Sequence, residues 1–152
     1  GVGMLQDAIW ASEERLADAA YQDLTQRFVT ASLKGWIHCR DNAEECAQIV
    51  TANGSQLGAS HQLWMMNEVN KLIWPSPAGI GIIDAAAWAQ TVEISLNTPN
   101  LDGLTVITAE PPASAYTNQY AEAANAALTA EGLNTTGDDF APITVELKEG
   151  GA

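Results

Sequence analysis

The residues best suited to covalent chemistry are Cys39 and Cys46, the only cysteines among 152 residues. In a chain exported to an oxidising compartment they would close a small loop, which the chain-entropy model values at roughly 2–3 kcal/mol; in a reducing one they would be two small buried thiols. A zinc site would need His38 or His61 as further ligands, and neither stands at a ligand spacing from the cysteines. His38 adjoins Cys39, but neighbours on a helix point in different directions, so a Cys–His nucleophile pair is not expected. His61, near a helix start, reads as a surface or capping residue. No Gly-x-Ser-x-Gly elbow, phosphate-cradling glycine loop or His-Glu-x-x-His occurs. Asp138-Asp139 lacks the alternating oxygen ligands of a cation loop and reads as a solvated acidic patch. The triplets Asn53-Gly54-Ser55 and Asn134-Thr135-Thr136 match a glycosylation pattern common by chance. The sequence thus predicts no enzyme, no metal and no cofactor.

The elements that position the cysteines are two helices and the corner between them. Over 20–39, Leu24, Phe28, Ala31 and Gly35 form one stripe, and Val29, Leu33, Trp36 and Ile37 widen it, which predicts a helix buried on most of its surface. Asp41 or Asn42 can cap the next helix, over 43–51, with Glu44 or Glu45 reaching back. Gly54 then offers a left-handed C-cap.

Before this corner, residues 3–11 read as a strand with both faces mostly apolar, and Ser12-Glu13-Glu14 as the start of a short helix. After it, Ser60 can cap a helix carrying Leu63, Met66, Val69 and Ile73, ended by Pro75 and Pro77. Asp84 can cap a helix to Leu96 that packs Trp88, Val92 and Leu96 inward. Residues 104–108 and 143–147 give short strand signals. Thr117 can cap a last helix to Gly132 with Tyr120, Ala124 and Leu128 as its seam.

Composition bounds the partners. With 47% hydrophobic and 16% charged residues this is a folding chain, and its formal net charge of -13 opposes nucleic-acid backbones and anionic membrane surfaces. No apolar run approaches the roughly 20 residues needed to cross a bilayer.

Phe28 to Trp36, the Cys39–Cys46 corner and the Ile49-Val50 exit resemble the C-terminal half of extracytoplasmic solute-binding proteins of ABC transporters. The branch is the one grouped with thiamin-pyrimidine-precursor synthases and with aliphatic sulfonate and nitrate binders. The opening Gly1 to Ser12 is similar to that family's returning crossover strand. Gly81-Ile82-Ile83-Asp84 with Trp88, and Ala115-Tyr116-Thr117-Asn118, look like its closing helices, and Ile143 to Gly151 looks like its C-termini.

The resemblance implies a helix-rich α/β fold, the C-terminal portion of a type II periplasmic-binding-protein fold with six or seven helices and two or three short strands. Residues 1–152 would be one unit, a lobe fragment of a two-lobed clamp, with 1–12 as crossover strand, 133–152 as tail, and an export signal upstream. It implies a periplasmic or cell-surface protein that passes a small solute to an ABC permease. For an aminopyrimidine, Asp7 could accept paired N–H bonds, with Gln6 beside it, and Trp10 could stack; otherwise Asp7 is structural and Trp10 is core. Exposed strand edges and apolar helix faces predict a homo-oligomer or strand-exchanged dimer. Two other readings stand beside this one. An enzyme of the synthase branch would need a cysteine-rich motif and a reactive histidine, neither recognisable here. A helical interaction module would need neither.

Overall fold

A computed structural model describes residues 4–5, 7–54, 56–148 and 150. Its elements are five helices, α1 (Ala19–Asp41), α2 (Ala43–Ala52), α3 (Ala59–Ile73), α4 (Ala85–Asn97) and α5 (Gln119–Ala130), with single 3-10 turns at Arg15–Ala17 and Ala113–Ala115.

α1 begins where the Asp18 carboxylate accepts the Ala20 and Tyr21 N–H groups, at 2.7 and 3.3 Å. It buries Thr25, Val29, Leu33 and Ile37, one residue per turn, and the apolar members of that row pack with Ala121, Ala124 and Leu128 of α5. The small side chains at 121 and 124 let the two helices approach closely. Burying each of Val29, Leu33, Ile37 and Leu128 contributes about 1.5–3 kcal/mol. The loop after α3 completes this core with Trp74 and Ile80. It is fastened to the segment after α5 by Ile80 N–H to the Thr135 carbonyl, 3.0 Å, and Ser76 N–H to the Thr136 carbonyl, 2.8 Å.

α2 and α3 form a second pair. They join the first through the corner, and through Arg40 at the end of α1. The guanidinium lies 4.6 Å from the Trp74 ring centroid, pairs with the Asp41 carboxylate through Nε and Nη2, and donates from Nη1 to the Asn134 carbonyl.

The helix-rich part of the expected architecture is present, but the α/β assignment is corrected: no strand occurs among the described residues. A strand requires a neighbour's ladder of N–H and C=O groups, and each candidate segment spends its backbone groups elsewhere. In the first, Leu5 N–H goes to Thr91 Oγ1 of α4, 2.9 Å, and residues 7–11 are exposed. Around 104, the Asn100 side chain accepts the Asp102 and Leu104 N–H groups and closes a loop on itself. The tail runs along α3, bonded to side chains: Ile143 N–H to Asn67 Oδ1 and Lys148 N–H to Ser60 Oγ. A type II periplasmic-binding-protein lobe with short strands is excluded with it.

Three local expectations also change. The stripe Leu24, Phe28, Ala31 and Gly35 faces solvent, because α5 takes the opposite side of α1. The Asn42 side chain turns back to the His38 carbonyl, 3.0 Å, rather than capping α2. Ser60 lies inside the first turn of α3, after the N-cap Gly58. Asp84 does cap α4, accepting Ala87 N–H at 2.8 Å, whereas the N-cap of α5 is Asn118, one residue after the expected Thr117, whose hydroxyl accepts the Gln119 N–H. Gly54 has φ +104, the left-handed geometry expected after α2.

Candidate functional site

The cysteines meet as the corner predicts. Cys39 and Cys46 form a disulfide with Cα atoms 5.4 Å apart, Cys46 buried and Cys39 half-buried. Beside it, His38 Nε2 stands 3.4 Å from a Glu45 carboxylate oxygen, so the helix-end histidine and the first-turn acid pair across the corner. This pairing needs the corner's geometry and is not visible in the chain order alone.

Of the three residues suggested for a solute, Gln6 lies outside the described residues. Asp7 is exposed and adopts φ +45, the left-handed region that non-glycine residues rarely occupy. Among the described residues nothing hydrogen-bonds or ion-pairs with its carboxylate. Trp10 is 86% exposed, so it is not core. Its open indole face is available for stacking. The segment is moored to α4 by the Leu5–Thr91 bond. The structure thus presents Asp7 and Trp10 on one exposed stretch.

α4 carries a cavity of about 300 Å³, walled by Trp88, Val92 and Glu93 on the helix and by Glu110, Pro111 and Tyr116 on the following loop. The Trp88 and Tyr116 rings stand 4.7 Å apart at 44°, and no Lys or Arg lines the space. Such a lining suits a flat, apolar or N–H-bearing molecule better than an anion. Neither Asp7 nor Trp10 lines it. A second cavity, of about 330 Å³, lies at the start of α1. Its polar groups are committed to structure: Asp18 caps the helix and Arg15 stacks 4.0 Å from the Tyr21 ring centroid.

The remaining candidates have structural roles. The Asn134 amide donates to Asp138 and Asp139 at 3.0 and 2.7 Å, and its oxygen accepts the Thr136 and Gly137 N–H groups, so the acidic pair braces a turn. The Asn134 hydrogen bond, followed by the Asp138 backbone N–H and the Thr136 hydroxyl, holds the Asp138 carboxyl below its usual range. His61 lies against Trp64 with ring centroids 5.8 Å apart. No group of three or more His, Cys, Asp or Glu able to hold a metal occurs among the described residues.

Sequence reasoning missed the buried polar residues that position the loops: Arg40, Asn67, Asn70 and Asn125. Asn125 donates to the Ile80 carbonyl at 2.8 Å, Asn67 receives the tail, and Asn70 accepts from the Trp74 indole N–H at 3.2 Å. Their signal was a polar residue at helical spacing within an apolar row, as Asn70 is between Met66 and Ile73. No family model, curated protein or solved structure matches the chain.

Proposed function

We propose that this chain is the solute-binding component of an ABC importer, acting outside the cytoplasm and delivering a small solute to a membrane permease. The observation that carries the reading is the Cys39–Cys46 bond, which closes the corner at the centre of the stretch that resembles such binders. A disulfide is compatible with an extracytoplasmic location, and no helix among the described residues is long and apolar enough to cross a membrane. The sheet that such binders carry is absent among the described residues, so the reading rests only on the order of the motifs and on this bond.

A thiamin pyrimidine precursor is favoured over alkanesulfonates or nitrate on charge. A formal net charge of -13 opposes anions, whereas the uncommitted Asp7 carboxylate suits the N–H groups of an aminopyrimidine and Trp10 suits its ring. The backbone strain at Asp7 is of a kind concentrated at functional sites. Isothermal titration calorimetry against the aminopyrimidine, an alkanesulfonate and nitrate tests this. Saturable heat is expected for the first alone, weakened about 10- to 100-fold in Asp7→Ala, the range for a hydrogen bond to a charged group. Absence of pyrimidine binding, or affinity unaltered in Asp7→Ala, would remove the assignment. A helical interaction module is the second reading, favoured by the apolar stripe that α1 leaves in solvent.

A further inference from the structure

Two carboxylates stand on the wall of the α4 cavity, Glu93 from the helix and Glu110 from the loop that follows it. Both residues are exposed, and neither carboxylate hydrogen-bonds or ion-pairs with another described residue. The chain brings nothing to neutralise them. Residues 72–147 hold nine Asp and Glu and no Lys, Arg or His. Of the six basic side chains, Arg27, Lys34, Arg40 and Lys71 pair with acids elsewhere. Arg15 stacks on Tyr21, and Lys148 belongs to the tail beside α3.

The rest of the wall is apolar and aromatic. Trp88 and Tyr116, both half-buried, lean on one another, with Val92 and Pro111 beside them. The loop is tied to the α4 region on both sides of the cavity, by Ile107 N–H to the Ser95 carbonyl at 3.3 Å and by the Asn118 side chain to the Ile83 backbone at 2.9 and 3.0 Å. The space is therefore formed before any ligand arrives. Aromatic faces carry negative partial charge, so they attract a cation as the carboxylates do and disfavour an anion. A hydrated metal ion gains nothing from such apolar surface, and two carboxylates fall short of the oxygen ligands it requires. An organic cation uses both halves of the wall.

We propose that this cavity binds an organic ammonium ion with an apolar skeleton, its N–H groups toward Glu93 and Glu110 and its carbons against Trp88, Tyr116 and Pro111. The site is separate from the one proposed at Asp7 and Trp10, neither of which lines it. About 300 Å³ is at the lower end for small-molecule sites, so the ligand is small and its affinity belongs in the millimolar range.

Nuclear magnetic resonance titration of phenethylammonium into the isotope-labelled protein tests it, with phenethyl alcohol and phenylacetate as neutral and anionic controls. Among the five indole N–H signals, that of Trp88, identified by its loss in Trp88→Phe, should move saturably with the ammonium, less with the alcohol and not with the acid. An exposed ion pair contributes up to about fivefold, so Glu93→Gln/Glu110→Gln should weaken the ammonium about 3- to 20-fold and leave the alcohol unaltered. Both side chains being exposed and unpaired, that variant should melt as the parent does. Asp7→Ala should leave the ammonium titration as it is, which separates this result from the pyrimidine assay. No saturation up to about 50 mM, equal affinity for the alcohol, or an ammonium affinity indifferent to Glu93→Gln/Glu110→Gln would overturn the proposal.

Discussion

Reducing the Cys39–Cys46 bond should cost the fold about 2.4 kcal/mol. The bond spans seven residues of chain separation, and the loop-closure entropy of so short a loop, multiplied by room temperature, gives that figure. Little else should change, because Cys46 is already enclosed and a free thiol packs as a small apolar group. At roughly 2–4 °C per kcal/mol for a chain of this size, the melting temperature should fall by about 5–10 °C. Urea unfolding followed by circular dichroism, with and without a phosphine reductant, measures the change. The double variant Cys39→Ala/Cys46→Ala should reproduce the reduced protein within about 1 kcal/mol and be insensitive to the reductant. A loss below about 0.5 kcal/mol would refute the reasoning, since it would mean that the corner holds the two helix ends together equally well in the unfolded chain.

Two further perturbations bear on the way the segment after α5 is held. Gly137 has φ +59, and an added Cβ would run into the Trp74 ring and lie 3.0 Å from Arg40 Nη1. Gly137→Ala should therefore destabilise by about 3 kcal/mol, from left-handed strain and overpacking together, read as a lower urea midpoint with unchanged slope. Asp138 has a carboxyl pKa lowered in the fold, chiefly by Asn134, so its contribution is present above the ordinary carboxylate value near 4 and lost as pH falls through the lower folded value. Asp138→Asn should melt below the unaltered protein at about pH 7, and the gap should close by about pH 2; a gap that persists in acid would exclude the carboxylate as its source.

Helices were legible wherever the sequence carried both period and punctuation. α4 announces itself by Asp84 and the row through Val92, and α5 by the row through Leu128, and the packing agrees, although the N-cap of α5 is Asn118 and not Thr117. α1 was legible as a helix but not in orientation. Its apolar residues run most of the way round, so periodicity could not say whether the Val29–Leu33–Ile37 side or the Leu24–Phe28 side would meet α5. The strands failed for a related reason. Alternation over 3–11 or 143–147 describes a segment able to pair, but pairing depends on a neighbouring edge that local sequence does not specify. The tail found the side chains of Asn67 and Ser60 instead. At the candidate site, the disulfide was readable from two cysteines bracketing a turn. The left-handed backbone at Asp7 was not, because a single aspartate gives no sign of its φ.

The placement of the suggested solute residues follows from how unevenly the chain is packed. Fully enclosed apolar side chains concentrate where α1, α5 and the loop through Trp74 and Ile80 meet. α4 stands apart from that centre, with only Val92 and Ser95 buried, and is held at its start by the double hydrogen bond between the Asn118 side chain and the Ile83 backbone. The segment bearing Asp7 and Trp10 is moored to this lightly packed helix, not to the core. Elements with few buried contacts open at low cost, and surfaces that must yield to a ligand are drawn from them. A clamp built on α1 would be stiff, because the Cys39–Cys46 bond and Arg40 tie its end to both helix pairs. One built on α4 can shift while that frame holds still. The packing thus divides the chain into a stapled frame around α1 and a loosely attached edge, and the solute site proposed above would place Asp7 on that edge.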